Sequence, residues 1–232
     1  MSFGTGTKSL SGHEYSADQS PIHDSHAEVL AKRGFQTYLY SELVKQLNNP
    51  TNNGSIFTVV ENKPQIKLRE NYKIHLILSK CPCGDCAAYK VESNRQDITD
   101  TGAKPLRDFF SKGVSSEWAT KTGILRTKPY RSDTPVNNRS SSLSCSDKIM
   151  QWNILGVQGA LLSNFIEPVY IDEIHMLEGV DLEGFKRGIC IGKRNFGSGD
   201  IEKRVLKWGD KRISNEFKVI SLNIMRGNFI EK

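Results

Sequence analysis

Two short stretches of the chain carry residue types that bind metal ions and move protons. His26 and Glu28 are separated by one residue, and Cys83 and Cys86 follow in a Pro-Cys-Gly-Asp-Cys segment. Imidazole nitrogen and thiolate sulfur are ligands that Zn²⁺ prefers, and a carboxylate beside the ion can accept and return protons. The residues therefore predict a zinc centre with a glutamate next to it.

The order of these stretches is typical of zinc-dependent deaminases. In such enzymes the metal activates water, and the glutamate, which is not a ligand, passes protons to the ring nitrogen and the leaving amine. Each stretch alone is a weak signal, because His-x-Glu arises by chance and Pro-Cys-x-x-Cys also occurs in structural zinc sites and redox pairs. A structural zinc site or a coincidence is the alternative interpretation.

The spacing of the cysteines selects one pair of thiolates. Cys83 and Cys86 are one helical turn apart and could reach a single ion. Cys145 stands at a predicted helix start, where exposed N–H groups stabilise a thiolate. The remaining candidates are interpreted as packing residues, since they lack ligand spacing: Cys81, Cys190, His13, His75 and His175.

Composition limits the class of protein. A chain of 232 residues fits one domain, and no apolar run approaches the 18 residues of a membrane span. Five cysteines and the lack of a charged-then-apolar leader favour the cytoplasm or nucleus over secretion. The net charge of +6 is compatible with a polyanionic partner. A basic run over residues 186–212 is either part of such a surface or a solvated face.

The hydrophobic pattern predicts alternating helices and strands. A helix capped by Ser25 continues to Asn48, which puts His26 and Glu28 in its first turn. A strand over residues 72–79 leads to Cys83. Further helices are predicted over 147–165 and 182–191, and strands over 168–176, 205–208 and 217–222. Residues 91–143 are predicted as loops over the site, anchored by Phe109, Phe110 and Trp118. This alternation favours an α/β fold.

Several segments together resemble one family. They are GTGTK at 4–8, HDSHAEV at 23–29, SKCPCGDC at 79–86, LRTKP at 125–129, SCSDKI at 144–149 and WNILGVQG at 152–159. Over about residues 4–176 the chain resembles the adenosine-to-inosine editase domain of RNA-editing and tRNA-specific adenosine deaminases. Lys128-Pro129 and the lack of a double-stranded-RNA-binding region favour the tRNA-specific branch.

The resemblance implies a fold, a reaction and a site. The fold is a cytidine-deaminase-like three-layer α/β/α sandwich with a mixed sheet, formed by one editase domain over residues 1–232 that is shortened at both ends. The reaction is zinc-dependent deamination of adenosine to inosine in tRNA, beside the anticodon of alanine tRNA. His26, Cys83 and Cys145 are the implied ligands and Glu28 the implied proton shuttle, which leaves Cys86 as a buried small side chain.

Two further contact sets follow from the resemblance. RNA-backbone contacts are implied at Thr7, Lys8, Lys128 and Arg139. Part of a buried inositol hexakisphosphate site is implied at Lys32, Arg33, Lys148 and Trp152. Other positions of that site differ from the family at His23, Gln151 and Ala160, and the family's C-terminal lysine- and tyrosine-rich part is missing. We therefore expect weak or no binding of inositol hexakisphosphate.

Two other functions stay open. One is deamination of free nucleosides or cytosine, favoured if Cys86 is the third ligand. The other is a catalytically impaired, zinc-stabilised RNA-binding remnant, favoured if the shortened ends leave the sheet incomplete. The expected partner is tRNA, with no membrane and no obligate protein partner.

Overall fold

A computed structural model describes residues 1–11, 14, 22–50, 54–59, 66–88, 101–106, 121–130, 133–177, 182–189 and 223–226. The helices in these ranges are α1 (Ala27–Asn48), α2 (Cys145–Leu155), α3 (Gly159–Leu162) and α4 (Leu182–Ile189). The strands are β1 (Phe57–Val59), β2 (Ile66–Leu68), β3 (His75–Leu78), β4 (Lys104–Pro105), β5 (Arg126–Thr127), β6 (Glu173–Met176) and β7 (Asn223–Arg226).

The strands form three small sheets. β3, β6 and β7 make a parallel sheet in that order, whereas β1 with β2 and β4 with β5 are antiparallel pairs. Helices with a parallel sheet establish an α/β arrangement, as the sequence predicts. In the described residues the three-stranded sheet is parallel and the two-stranded sheets are antiparallel, but Ile66 of β2 also forms a parallel bridge with Ile166. The three-layer sandwich stays a prediction.

One hydrophobic core joins the helices to the parallel sheet. Leu39 of α1, Ile149 of α2, Ile174 of β6 and Phe185 of α4 belong to the same cluster and are fully buried. Alternate residues of β6 enter this core, because successive side chains of a strand point to opposite faces. The core fixes α1 and α2, whose first turns carry the predicted site.

The predicted first helix is confirmed, but its cap differs. His26, not Ser25, is the N-cap residue, and its side chain makes no capping hydrogen bond. Backbone N–H groups of Ser25 and Ala27 donate instead to the carbonyls of Lys8 and Gly6, both at 2.9 Å. Main-chain acceptors from the N-terminal segment thus do what a serine hydroxyl was expected to do.

The single helix predicted over residues 147–165 is wrong. α2 ends at Leu155, Gly156 has φ +80°, and the short helix α3 follows. A Cβ at Gly156 would lie 2.9 Å from the carbonyl oxygen of Val169 and would overlap Gln158. The apolar spacing hid this break, because Ile149 and Trp152 before it and Val157 and Leu162 after it belong to one core.

Of the other predicted elements, some are shorter in the structure than in the prediction and some lie outside the described residues. The two predicted strands over 72–79 and 168–176 shrink to β3 and β6, and the part of 91–143 that is described contains β4 and β5 besides loops. The predictions outside the described residues are Phe109, Phe110, Trp118, His13, Cys190 and the strands over 205–208 and 217–222. Among the described helices, none combines the length and apolarity needed to cross a membrane.

Candidate zinc and catalytic site

Three separate chain segments bring His26, Cys83 and Cys145 together. Their ligand atoms all lie within 4.8 Å of one another, and Cys83 Sγ is 3.9 Å from His26 Nδ1. Glu28 lies in the first turn of α1, just after His26. The pKa of the Cys145 thiol is raised by its hydrogen bond to Cys83, by burial and by the charge of Cys83, and the nearby charge of Glu28 raises it further. The arrangement puts a carboxylate beside three metal-ligand atoms.

The N-terminal segment fixes the start of α1. Gly6 has φ +141°, and a Cβ there would overlap the carbonyl oxygen of Ser25. A Cβ at Gly4 would overlap the carbonyl oxygen of Ala27. The two glycines therefore let this segment lie against the first helical turn and accept its N–H groups. His26 and Glu28 are positioned by that contact.

Ser146 ties the two cysteine segments together. Its backbone N–H donates to the carbonyl of Cys83 at 3.0 Å, and its hydroxyl donates to the same oxygen at 2.9 Å. The same hydroxyl accepts from the N–H of Cys86 at 3.0 Å. Gly84, with φ +109°, allows this approach, since a Cβ there would overlap the hydroxyl of Ser144. The turn after Cys83 is thereby held against the start of α2.

A conventional cap begins α2 and connects it to β5. The Ser144 hydroxyl accepts from the N–H of Asp147 at 3.3 Å and donates to its carboxylate at 2.6 Å. That carboxylate also accepts from the N–H of Arg126 at 2.9 Å. Because β5 is bonded to the start of α2 in this way, the residues after it, including Lys128, enter the site.

Lys128 is buried between the two ligand cysteines. Its Nζ is 3.0 Å from Cys145 Sγ, 3.3 Å from Cys83 Sγ and 3.6 Å from Asp24 Oδ2, and its side chain is 0% exposed. Burial would lower the pKa of Lys128, but the charges of Cys145, Cys83 and Asp24 outweigh burial and raise it. A side chain enclosed in this way does not reach an RNA backbone, so the contact implied for Lys128 is corrected to a role inside the site.

A hydrogen bond joins Cys83 and Cys145, so that one of them is a thiolate and the other keeps its proton. The hydrogen bond from Cys145 lowers the pKa of Cys83 to about 3 against the opposing effect of burial, and the same bond raises the pKa of Cys145. A second thiolate there needs another positive charge. Two sulfurs and one imidazole nitrogen form a donor set that fits Zn²⁺.

Cys86 points away from this group. It is 1% exposed, its Sγ donates to the carbonyl oxygen of Phe185 at 3.6 Å, and a Cβ at Gly188 would overlap the sulfur. The ligand atoms that converge belong to Cys83 and Cys145 instead. The geometry therefore favours the distant cysteine over the one selected by local spacing.

The implied RNA contacts differ in exposure. Thr7 and Lys8 are exposed on the segment beside the start of α1. Arg139 is buried, with its Nε donating to the carbonyl of Thr134 at 3.0 Å and its guanidinium 4.8 Å from the centre of the Tyr130 ring. Its charge is used within the protein, so the contact implied for Arg139 is also corrected.

The residues implied for inositol hexakisphosphate lie near one another. Lys32 Nζ is 5.9 Å from the centre of the Trp152 ring. The pKa of Lys32 is lowered by burial and then by the charges of Arg33 and Lys148. Lys148 also donates to Ser142 Oγ at 2.8 Å. A group of like charges is thus present, and anion binding there stays a prediction.

Asp24 is a site residue that the sequence interpretation missed. One carboxylate oxygen accepts from the N–H of His26 at 3.1 Å, and the other accepts from Ser142 Oγ at 3.0 Å and from Lys148. Burial would raise the pKa of Asp24, but the hydrogen bond from Lys148 and the charge of Lys128 hold it below its usual value. A carboxylate two residues before a ligand histidine is the signal that could have identified it.

A pair of residues that the sequence interpretation also missed supports the turn after Cys83. Asp85 is fully buried and accepts from Arg187 Nε at 2.9 Å and from the N–H of Gly123 at 2.7 Å. Arg187 also donates to the carbonyls of Asp85 and Ala88. This arginine belongs to the basic run assigned to an RNA surface or a solvated face, and the structure uses it to hold α4 against the turn after Cys83.

Known proteins are similar in sequence to this chain over most of its length. The adenosine-deaminase (editase) domain family matches residues 2–198. The double-stranded RNA-specific adenosine deaminase of Mus musculus is 32% identical over 206 residues, covering 82% of this chain and 17% of the relative. The double-stranded RNA-specific editase Adar of Drosophila melanogaster is 33% identical, covering 88% of this chain and 29% of the relative. The tRNA-specific adenosine deaminase 1 of Drosophila melanogaster is 34% identical, covering 82% and 48%.

The chain spans less than half the length of each of these relatives. Its identity to the relatives named for double-stranded RNA and to the one named for tRNA is nearly equal, so identity does not separate the two kinds. The matched residues contain every segment that builds the site described above. The chain belongs to the adenosine-deaminase (editase) family.

Proposed function

We propose that this chain deaminates adenosine to inosine in tRNA, at the adenosine beside the anticodon of alanine tRNA, with zinc held by His26, Cys83 and Cys145. The observation that carries the proposal is the convergence of these three ligand atoms next to Glu28. The family supports the reaction class, and the relative named as a tRNA-specific adenosine deaminase supports tRNA as the substrate. The proposal treats residues 1–232 as one editase domain acting in the cytoplasm or nucleus.

The three ligands would hold zinc with one position open to solvent and substrate. When bound, zinc supplies Lewis-acid activation of a water molecule. Cys83 and Cys145 must both be deprotonated for this, and Lys128 Nζ, within hydrogen-bond distance of both sulfurs, lowers the cost of the two negative charges. Asp24 holds the backbone of His26 and so orients the imidazole.

Glu28 is the proposed proton carrier. Hydrolytic deamination requires that a proton leave water, that N1 of adenine gain one, and that the departing nitrogen leave as ammonia. A carboxylate on the first turn of α1, beside the ligands but not among them, can pass one proton of the water to N1. It can then take the remaining proton from the hydroxyl added at C6 and give it to the departing amine. Proton transfer by a positioned side chain contributes about 10²–10⁴-fold to such reactions.

The substrate must present an adenine outside its stack. Moving a base out of a helix costs a few kcal/mol, and the cost is lower for a base already in a loop, such as an anticodon loop. Thr7 and Lys8 are exposed on the segment that holds the start of α1. They are the proposed contacts to the RNA backbone, and the net charge of +6 favours association with a polyanion.

Duplex RNA is the second candidate substrate. It is favoured by the relatives named for double-stranded RNA, which match this chain at 32% and 33% identity. Deamination of free nucleosides or cytosine is favoured only if Cys86 is the third zinc ligand. It loses support because the Cys86 thiol lies against Phe185.

The substrate is tested directly with zinc-loaded protein and three adenosine donors: an anticodon stem-loop of alanine tRNA, a perfect RNA duplex and free adenosine. Inosine is read as A-to-G changes in the RNAs and by chromatography for the nucleoside. The proposal predicts inosine in the stem-loop at the adenosine beside the anticodon. Inosine in the duplex alone would select the second candidate, and turnover of free adenosine alone would contradict an RNA substrate. Glu28→Gln protein is the control for contaminating activity.

A further inference from the structure

A second group of metal-ligand side chains lies on the parallel sheet. His75 of β3 pairs with Glu173 of β6, and His175 lies two residues further along β6. Residues two apart on a strand share a face, so His75, Glu173 and His175 lie on one face of the sheet. The sequence interpretation assigned both histidines to packing. The structure instead leaves the side chain of His75 39% exposed and that of His175 22% exposed.

Three ligand atoms of this group form a nearly regular triangle. His75 Nδ1 lies 3.0 Å from His175 Nε2, and each nitrogen is 3.2 Å from Glu173 Oε2. Ligands in a tetrahedral zinc site are about 3.3–3.6 Å apart, since Zn–N and Zn–O distances are about 2.0–2.2 Å, so the three atoms need to move apart only slightly to hold the ion. The two imidazole rings are stacked with centres 5.2 Å apart, which keeps both nitrogens directed to the carboxylate.

Hydrogen bonding alone leaves this triangle incomplete. A neutral imidazole nitrogen either carries a proton or offers a lone pair. If only one of the two imidazole nitrogens carries a proton, the other nitrogen and the carboxylate oxygen face each other with lone pairs. If both nitrogens carry protons, two donors meet at 3.0 Å. A divalent cation satisfies all three lone pairs at once, and two imidazoles with one carboxylate suit Zn²⁺ among the common divalent ions.

We propose that His75, Glu173 and His175 form a second divalent-metal site that takes Zn²⁺ or a similar borderline transition-metal ion. The three side chains are partly exposed, so water can complete the coordination. The site shares no residue with the His26, Cys83 and Cys145 group. An ion there links β3 to β6, and β3 leads through a short turn to Cys83. The proposal does not depend on the proposed deaminase function.

The test is a titration of the whole metal-free chain with Co²⁺ and then Zn²⁺. Co²⁺ bound by cysteine gives an intense near-ultraviolet charge-transfer band, whereas Co²⁺ bound by nitrogen and oxygen gives only weak visible bands. We expect two equivalents per chain: one with the intense band and a second that adds only weak bands. Equilibrium dialysis with Zn²⁺ and elemental analysis then count the ions.

Three variants locate the second equivalent. His75→Asn and His175→Asn should each lose it and keep the first, and circular dichroism checks that both are folded. Glu70→Gln is the matched control, because Glu70 is an exposed acid paired with Lys67 away from this group, and it should keep both equivalents. The proposal would be overturned if every bound equivalent showed the intense cysteine band, or if the equivalent with only weak bands survived both histidine substitutions.

Discussion

The two groups of metal-ligand side chains in the described residues are built in opposite ways. His26, Cys83 and Cys145 come from three distant segments and are held by buried contacts, including those of Asp24, Ser146 and Lys128. The other group lies on two neighbouring strands and is fixed by their register alone. The second arrangement needs little support, because a parallel pair already sets the spacing of its side chains.

The difference shows what a reactive site requires beyond its ligands. Two thiolates and two carboxylates in a partly buried space need compensating charge, which Lys128 and Lys148 provide in addition to any metal. The group on the sheet carries one carboxylate and faces solvent, so it has no such requirement. Beside the three ligand atoms of the first group lies the carboxylate of Glu28, which is not one of those ligands.

The largest expected difference between the two groups is in the rate of inosine formation, which Glu28→Gln should lower. We expect the rate of inosine formation to fall by about 10²–10⁴-fold, because the glutamine cannot carry protons. Zinc bound to the cysteine site should be unchanged. The matched control is Glu173→Gln, which changes the same residue type in the other group and should leave the deamination rate unchanged. Equal losses in both variants would contradict the assignment of Glu28.

Zinc binding distinguishes the two candidate cysteines. Cys145→Ala should lose zinc from the catalytic group, because two remaining ligands hold the ion poorly. Cys86→Ala should keep it, since the Cys86 thiol faces Phe185. Elemental analysis after dialysis against a weak chelator measures both. Loss of zinc from Cys86→Ala with retention in Cys145→Ala would return the site to the local Pro-Cys-x-x-Cys spacing.

Lys128→Met tests the charge balance of the buried group. The charge of Lys128 favours the thiolate form of both ligand cysteines. It adds to the lowering of the pKa of Cys83, which is due first to the hydrogen bond from Cys145, and it opposes the raising of the pKa of Cys145. Its removal therefore leaves more protons on the sulfurs at a given pH. We expect zinc affinity at pH 7 to fall by about 10–100-fold and to recover as pH rises. Lys8→Met removes an exposed lysine and should leave zinc affinity unchanged. A Lys128→Met protein with undiminished affinity would show that the ammonium is only structural.

Asp24→Asn should lower the stability of the fold in a way that depends on pH. The pKa of Asp24 is held below its usual value in the folded protein, so ionised Asp24 stabilises the fold above its unfolded pKa of about 3.9. That contribution is lost as pH falls through the folded pKa. We expect the variant to be less stable by about 1.5–3 kcal/mol at pH 7, the range for a hydrogen bond to a charged group. Denaturant unfolding from pH 7 to pH 3 should show the two proteins converging, and a constant difference would contradict this account.

Local patterns were enough to identify part of the site. The order of His26, Glu28 and Cys83 predicts the chemistry, and the spacing of apolar residues predicts α1 nearly to its last residue. His26 and Glu28 are two positions apart, and the apolar residues of α1 recur every three or four positions, so both signals can be recognised locally. Cys145 needed the resemblance to a family, because nothing in its distance from Cys83 predicts that the two sulfurs meet.

The part of the site that the sequence did not predict depends on contacts between residues far apart in the chain. Lys128 looks like a surface lysine in the sequence, and only the pairing of β5 with the start of α2 puts it between two sulfurs. His75 and His175 are 100 residues apart, and a parallel register brings them together. Such pairings are set by the whole core, so short motifs do not predict them.

The central claim is that zinc at His26, Cys83 and Cys145 supports deamination of adenosine in RNA. The most direct measurement is single-turnover inosine formation in the anticodon stem-loop as zinc is added stepwise to metal-free protein. We predict that activity rises to its maximum with the equivalent bound by the cysteines, does so equally in His175→Asn, and is absent in Cys145→Ala. Full activity in Cys145→Ala, or no inosine from wild-type protein that carries zinc on its cysteines, would contradict the claim.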